Sequence, residues 1–430
     1  MISYLMMMTT TMTIDTLRRG ITFHREIAAA FLKAIQQQHP DECYKPIDLW
    51  VCLVLLGANN KQVEPLLRKK INADHLLPVL LERSLANYAP AFEPHTETLL
   101  HLAGSFVRQS SERLRTFGQT IFQCCFRYMG DQHTHQSIVR ALISHVGGTT
   151  AAEVDAALEV LLSLCTSCSA ELRSFASFFD TSIVEHLTEN QARKAFTVLA
   201  LLCFDADTGE QLGNTKLVND VRKLVSLPNA AMQKLGIIGA VAIIQVLTRA
   251  RAATRHEYEH EHTLSQQLLD AIKDHTTTAS PAAFAFFFDE ICSLFERAPR
   301  REPRAEALAN SLYQTYATEF ETAFCVPRDL HTGPVALALP RNLLDKEPEI
   351  VIALRDHVLD PAKQLRLCAM QSQFRMLRAT QPRTGGNYEH KTKVRFLTAA
   401  VQMDDMPDPE DIPVRVSECY LLLNANQAVL

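Results

Sequence analysis

SIVRALISHVGGTTAAEVDAALEVLLSLC (Ser137–Cys165) contains the end of one helix and the start of the next. Gly147-Gly148 stops the first, because glycine takes the left-handed C-cap conformation at no Cβ cost. Thr150-Ala-Ala-Glu153 opens the second as a capping box: the Thr hydroxyl accepts from the third helical N–H while Glu reaches back to the cap. Val154, Leu158, Leu161 and Cys165 then recur at three- and four-residue spacing on one face. Two amphipathic helices joined by a short turn are the unit of an antiparallel helical array.

The same punctuation recurs along the chain. Thr188-Glu-Asn-Gln191 is a second capping box, opening ARKAFTVLALLCF (Ala192–Phe204). Ser280-Pro281 places a cap residue before proline at the first helical position. The helix it opens turns Phe284, Phe287, Phe288, Ile291, Leu294 and Phe295 inward, and Pro303 likewise precedes AEALANSLYQTYATEFETAF. No segment shows strand alternation bounded by hairpin turns. The expected fold is all-α, an α-solenoid of stacked antiparallel helices, and no strict sequence period ties it to a named repeat.

Four regions are expected: the first part of the solenoid over 1–255, a charged and polar linker over 256–280, further solenoid over 281–380, and a partly mobile tail over 381–430. Connecting stretches are read at Ala206–Asn214, Ala250–His262, the TTTAS before Pro281 and Gln381–Glu389. AVQMDDMPDPEDIP (Ala400–Pro413) is acidic and broken by proline.

A chain of 430 residues exceeds one ordinary core, and 47% apolar with 21% charged residues excludes wholesale disorder. Only 14 Gly and 19 Pro favour long helices over a turn-rich β fold. A net charge of −5 offers no global attraction to nucleic acid, so any phosphate contact must come from local basic patches. The 11 cysteines sit in apolar helical runs, as Cys203 does in LALLCF, which suits a reducing compartment better than a disulfide framework. The N-terminal stretch does not read as a signal peptide. The apolar run Leu235–Leu247 falls short of the about 20 residues that a membrane span needs, so a buried helix and no membrane partner are expected.

Four patterns could carry chemistry. His256-Glu257-Tyr258-Glu259-His260 satisfies H-E-x-x-H, in which two His one turn apart bind zinc and Glu acts as general base. Its surroundings, RAATRHEYEHEHT, are charged on every side, and Asp289 or Glu290 as third ligand would come from a helix whose other face is Phe-rich core; a solvated linker is the simpler reading. Cys165-Thr-Ser-Cys168 lacks the second pair of a structural zinc site, and Cys124-Cys125 lies in an amphipathic run, so all four are read as packing residues. His133 and His135 in GDQHTHQ are read as polar loop residues. Three basic clusters remain as candidates for DNA-backbone contact: Arg68, Lys69 and Lys70; Arg249, Arg251 and Arg255; and Arg297, Arg300, Arg301 and Arg304. Solvated helix ends complementing the macrodipole are the competing reading for each. No catalytic residues, metal or cofactor are expected.

KQVEPLLRKKI (Lys61–Ile71), SERLRTFG (Ser111–Gly118), AAEVDAALEVLL (Ala151–Leu162), ARKAFTVLALLCF and KLGIIGAVAI (Lys234–Ile243) follow one another in an order that resembles the central region of the Fanconi anaemia group D2 family. FFFDEI, TEFETAF and FRMLR (Phe374–Arg378) continue the likeness, which covers about the middle third of a full-length member. The resemblance implies a non-catalytic, nuclear α-solenoid that pairs with the Fanconi anaemia group I protein and closes around duplex or branched DNA. It further implies monoubiquitination by a nuclear ubiquitin ligase complex during interstrand crosslink repair. The family's acceptor lysine falls near Asp180 or Thr181, in SFASFFDTSIVEHL (Ser174–Leu187), and no lysine occurs between Lys70 and Lys194. Lys194 is the substitute acceptor in reach, although it belongs to the following R-K-x-F helix. A protein-only helical adaptor is the alternative, and a zinc hydrolase using the H-E-x-x-H match stands last.

Overall fold

The computed structural model describes residues 16–37, 44–204, 214–249, 255–276, 280–296, 303–327, 336–339, 350–352, 361–380 and 400–402. They fall into two compact units, Met1–Cys203 and Phe204–Leu430.

The first unit contains α1 (Arg25–Gln37), α2 (Pro46–Gly57), α3 (Val63–Asn72), α4 (Pro78–Phe92), α5 (Thr96–Val107), α6 (Glu112–Tyr128), α7 (Gln132–Val146), α8 (Ala151–Ser167), α9 (Ser169–Arg173) and α10 (Glu189–Cys203). Packing follows next-neighbour and second-neighbour order. Helices α4, α6, α8 and α10 lie against one another in succession, while α5 packs on α6 and α7 packs on α8. This is the two-layered stack of an α-solenoid. A helix so placed must bury more than one stripe, and α6 does, with Leu114, Phe117, Ile121, Phe122, Cys124, Cys125 and Phe126 all inside. Phe117 meets Phe106 of α5 edge to face at 6.2 Å.

The turn between α7 and α8 departs from its sequence reading in an informative way. Thr150 Oγ1 accepts from the Glu153 N–H at 3.3 Å, as a capping box requires. The Glu153 carboxylate does not reach back to the cap. It turns inward, with Oε1 2.7 Å from His145 Nδ1 and 3.4 Å from Arg108 Nε, and both His145 and Glu153 are buried. Gly147 has φ −80°, a right-handed value, so the expected left-handed cap is not formed there. Glycine is required at 148 instead for room: a Cβ there would lie 2.7 Å from Glu153 Cδ and 2.8 Å from the His145 carbonyl oxygen. The second box is complete, since Thr188 Oγ1 accepts from the Gln191 N–H at 3.4 Å and Gln191 Oε1 accepts from the Thr188 N–H at 3.2 Å.

His133 and His135 are not loop residues. Asp131 caps α7 by accepting from the Thr134 N–H at 2.8 Å, which places both histidines in the first helical turn. His135 is buried, stacked 4.1 Å from the Phe126 ring, with Nε2 2.8 Å from the Phe126 carbonyl oxygen.

The second unit contains α11 (Asn214–Ser226), α12 (Ala230–Arg249), α13 (Arg255–Thr276), α14 (Pro281–Glu296), α15 (Pro303–Phe324) and α16 (Pro361–Thr380). Helix α12 is apolar around its whole circumference because α11, α13, α14 and α15 all pack on it. It is long and apolar enough to cross a membrane, yet 72% of its apolar window is buried in the protein. Gly236 lets α11 close in, since a Cβ there would stand 2.6 Å from the Val225 backbone nitrogen. In α14, Phe284, Phe287, Phe288, Ile291 and Phe295 are buried as expected, with Leu294 only half-buried.

Two expectations are corrected here. The stretch 256–280 is not a linker: Arg255–Thr276 is one 22-residue helix. Its C-terminal half buries Leu268, Leu269 and Ile272, and that packing carries the helix back through the charged RHEYEHEH end. The division between units accordingly falls after Cys203, not at 255. The all-α expectation holds for the bulk of the described residues, and among them four short strands were not anticipated. Cys325–Pro327 (β1), Ala336–Leu339 (β2), Ile350–Ile352 (β3) and Ala400–Gln402 (β4) form an antiparallel sheet in the order β1-β3-β2-β4. Runs of three and four residues are too short to display alternation. The connecting stretches 206–213, 250–254 and 381–389, and the acidic 403–413, lie outside the described residues.

Glu153→Ala strips a buried histidine of its carboxylate, and is expected to lower stability by about 1–3 kcal/mol. Thr150→Ala, which removes one half-buried cap bond, is expected to cost about 1 kcal/mol. Urea unfolding followed through Trp50, the single tryptophan and buried in the first unit, measures both. An unchanged midpoint for Glu153→Ala would remove the buried node from the account of stability.

Candidate functional site

The segment Ser174–Leu187, in which the resemblance led an acceptor position to be expected, begins where α9 ends. It runs through two 3-10 turns, Ala176–Phe178 and Thr181–His186, with Asp180 and Thr181 at the joint between them. Phe175 and Val184 are buried, and the Arg140 guanidinium sits 5.4 Å over the Phe178 ring. A small apolar cleft beneath it is lined by Val146, Leu158, Phe179, Ile183, Val184 and Val198. The segment is thus strapped onto α7, α8 and α10 mainly by apolar side chains, with Asp180 also lining the cleft.

Lys194 lies on α10 and faces α8. Its Nζ donates to Asp155 Oδ1 at 3.0 Å and to Glu159 Oε1 at 2.9 Å. Burial alone would lower its pKa, but the hydrogen bonds and charges of Glu159 and Asp155 outweigh that and hold it above the ordinary lysine value. Gln119 of α6 joins the network through Glu159 Oε2 at 3.0 Å and the Ala156 carbonyl oxygen at 3.2 Å. An amine must be neutral to attack an activated carboxyl group, so this pairing makes Lys194 a poor acceptor. The network was missed from sequence. Asp155 and Glu159, spaced four apart opposite the buried stripe of α8, were the available signal.

The basic clusters are only partly available to a ligand. Arg68 is bonded to Glu64 at 2.6 Å and to Ser105 Oγ at 2.9 Å. Lys70 is buried, its Nζ 5.5 Å over the Tyr44 ring and 3.4 Å from the Gln36 carbonyl oxygen. Lys69, between them, faces solvent. In the second unit Arg249 is exposed, whereas Arg304 is bonded to Glu261 at 2.6 Å and to the Leu247 carbonyl oxygen at 3.3 Å. Arg251, Arg297, Arg300 and Arg301 lie outside the described residues, as does the Arg255 side chain. Arg68, Lys70 and Arg304 were read as phosphate contacts; their charge is spent inside the fold.

His256, Glu257 and His260 fall on the first turns of α13, with side chains outside the described residues. The expected third ligands are committed or enclosed: Asp289 is bonded to Ser372 at 3.0 Å and Arg375 at 3.4 Å, and Glu290 is buried. Among the described residues, no three His, Cys, Asp or Glu side chains converge as a metal site. Burial pushes the Cys124 and Cys165 thiols up to about 12, which removes thiolate reactivity at neutral pH. A groove of about 900 Å³ on the first unit, which the sequence did not announce, is edged by Asn59, Lys61, Glu64, Glu97 and His101.

A two-layered helical stack, apolar within and pinned by interhelical ion pairs, defines a helical-repeat protein of the α-solenoid class. The family model described as Fanconi anaemia protein FancD2 nuclease matches residues 7–346, and the chain belongs to that family. It is 26% identical over 358 residues to the Fanconi anemia group D2 protein homolog of Rattus norvegicus, covering 79% of this chain and 24% of that protein. The Mus musculus homolog is 26% identical over 328 residues, covering 72% and 22%. The Drosophila melanogaster homolog is 23% identical over 278 residues, covering 59% and 18%. The chain spans about a quarter of the length of the curated relatives it matches, 24% for the rat protein.

Amine-acylating reagents at mildly alkaline pH are expected to modify exposed Lys61 and Lys69 faster than Lys194, because its raised pKa leaves less neutral amine and two carboxylates enclose its Nζ. Peptide mass spectrometry reads the rates. Equal labelling would show that the carboxylates do not hold Lys194.

Proposed function

We propose that this chain is a non-catalytic DNA-repair scaffold of the nucleus, a DNA-clamp subunit that acts in interstrand crosslink repair together with the Fanconi anaemia group I protein. Membership of the FancD2 family over residues 7–346 is the observation that carries this reading. The chemistry of the surface is compatible with it. Exposed cations such as Lys69 in the first unit and Arg249 in the second can each neutralise one phosphate, and affinity then comes from the number of such contacts. The net charge of −5 makes such binding weak alone and dependent on a partner.

Ubiquitin enters this proposal only with a change. Neither Asp180 nor Thr181 has an ε-amine, and Lys194 is held by two carboxylates. A nuclear ubiquitin ligase complex would have to act at another lysine, or the clamp works without it. A second reading, a helical adaptor that binds proteins but no DNA, is favoured by the internal commitment of Arg68, Lys70 and Arg304.

Fluorescence anisotropy with labelled duplex and branched DNA, with and without the group I protein, separates the readings. Sequence-independent binding is expected, falling by about 10³-fold or more between about 50 and 200 mM salt. Lys69→Glu with Arg249→Glu should weaken it at least about ten-fold and lower the salt slope by about 2. No binding in either preparation would leave the adaptor standing. Metal-dependent cleavage of the same DNA would favour the nuclease that the family's printed name contains.

A further inference from the structure

In the first unit, the arginines that keep their charge for solvent are not the ones that cluster in the sequence. Arg108, Arg113 and Arg115 flank the turn from α5 into α6, in RQSSERLR (Arg108–Arg115). Arg115 Nη1 donates to the Gln109 and Ser110 carbonyl oxygens at 3.0 and 2.6 Å, which ties the turn down. Among the described residues no carboxylate is bonded to it, and neutral carbonyls leave a guanidinium its full charge. Arg108 Nε lies 3.4 Å from Glu153, a carboxylate held more closely by His145, and the Arg108 side chain is 61% exposed. Arg113 meets Asp74 at 2.5 Å and the Asn72 carbonyl oxygen at 2.6 Å, with 58% of its side chain exposed. A pair that open to solvent is weak, so Arg113 can exchange the carboxylate for another anion. Lys69 belongs to the same edge. It stands about one turn before Asn72, which takes Arg113 on its carbonyl and accepts from Ser111 Oγ at 2.6 Å on its side chain. The exposed carboxylates of these segments are Asp74 and Glu112, two against the four cations.

We propose that this edge of the first unit, where α3 and α5 end and α6 begins, is a contact surface for the phosphate backbone of duplex DNA. The assignment rests on the DNA-binding reading above and adds where on the first unit the backbone lies. Arg108, Arg113 and Arg115 supply the contacts, with Lys69 beside them. Guanidinium is the side-chain group best matched to phosphate oxygens, because its planar fork can donate two parallel bonds to one anion. The four cations are distributed over three helix ends instead of converging on one point. That distribution suits successive phosphates of a backbone better than a single phosphate group. The edge is also held in place before any ligand arrives. Gln109 N–H bonds the Phe106 carbonyl at 3.0 Å, Arg115 N–H bonds the Ser111 carbonyl at 3.0 Å, and Ser111 fastens the turn to α3. A contact surface fixed in advance loses less freedom on binding. Arg68 and Lys70 contrast with it, the one bonded to Glu64 and Ser105 and the other buried over Tyr44. None of the three arginines stands next to another basic residue in the chain, so the fold, not the sequence, gathers them.

Anisotropy of a labelled duplex against the full chain, with the group I protein present, tests this. The double variant Arg108→Gln/Arg113→Gln is compared with Arg25→Gln/Arg83→Gln, which removes the same charge at exposed positions of α1 and α4. Urea unfolding followed through Trp50 confirms that both fold. The first variant is expected to bind at least about ten-fold more weakly at low salt and to lower the salt slope by about 2, while the second stays close to wild type. Wild-type binding that the first variant retains in full overturns this assignment and leaves the DNA-binding reading standing. Equal weakening by the two variants also overturns it, since net charge would then suffice. Competition by poly-glutamate as effective as by unlabelled duplex would give the edge to an acidic protein segment. A wild-type protein that binds no duplex removes the reading and this assignment together.

Discussion

Burial on two sides is the constraint from which this architecture follows. A helix inside a stack has a neighbour before it, another after it and a second layer beside it, so a single apolar stripe leaves part of its circumference unpacked. Helix α6 meets that demand with Leu114, Phe117, Phe122 and Phe126 distributed around it, and α12 with an apolar surface on every side. At about 25 cal/mol per Å² of apolar area buried, repeated burial is the term large enough to oppose the ordering of so long a chain. The long helices and scarce glycine of this sequence serve the same end.

Apolar packing does not fix the register of one helix against the next; the polar contacts do. Glu153 joins the start of α8 to His145 at the end of α7, and Gln191 Nε2 ties α10 to the Ala151 carbonyl oxygen at 3.2 Å. Gln119, Glu159, Asp155 and Lys194 carry the same linkage across α6, α8 and α10. Exposed ion pairs contribute little each, about 0–1 kcal/mol. The enclosed His145–Glu153 pair differs, because both groups are buried and loss of Glu153 would take the carboxylate from the His145 ring. Charge in this protein is used first for alignment, which is why cations that look free in the sequence are not free in the fold.

Helix ends and buried faces were legible because they are local. Thr150, Thr188 and Ser280 each start a helix where their side chains say they should, and the Phe positions of α14 follow from spacing alone. What could not be read depends on residues far away. The charged start of α13 looks like a linker until Leu268, Leu269 and Ile272 are seen to hold the same helix against its neighbours. Arg68 looks available until Ser105, 37 residues on, is found beside it. Gly148 looks like a conformational device, yet what it supplies is room for a carboxylate that points the other way. The candidate site was legible only as residue types, since which cation faces solvent is decided by the opposing helix.

The segment around Asp180 shows how a stretch without a regular helix is seated on this stack. Phe175, Phe179, Ile183 and Val184 fasten its two 3-10 turns to α7, α8 and α10 through apolar contact. Asp180 lines the same cleft and accepts from the Thr181 hydroxyl at 3.4 Å, at the joint between the turns. Apolar side chains therefore supply the seat and a polar pair shapes the joint, so the segment is placed on the helices without a lysine at either position.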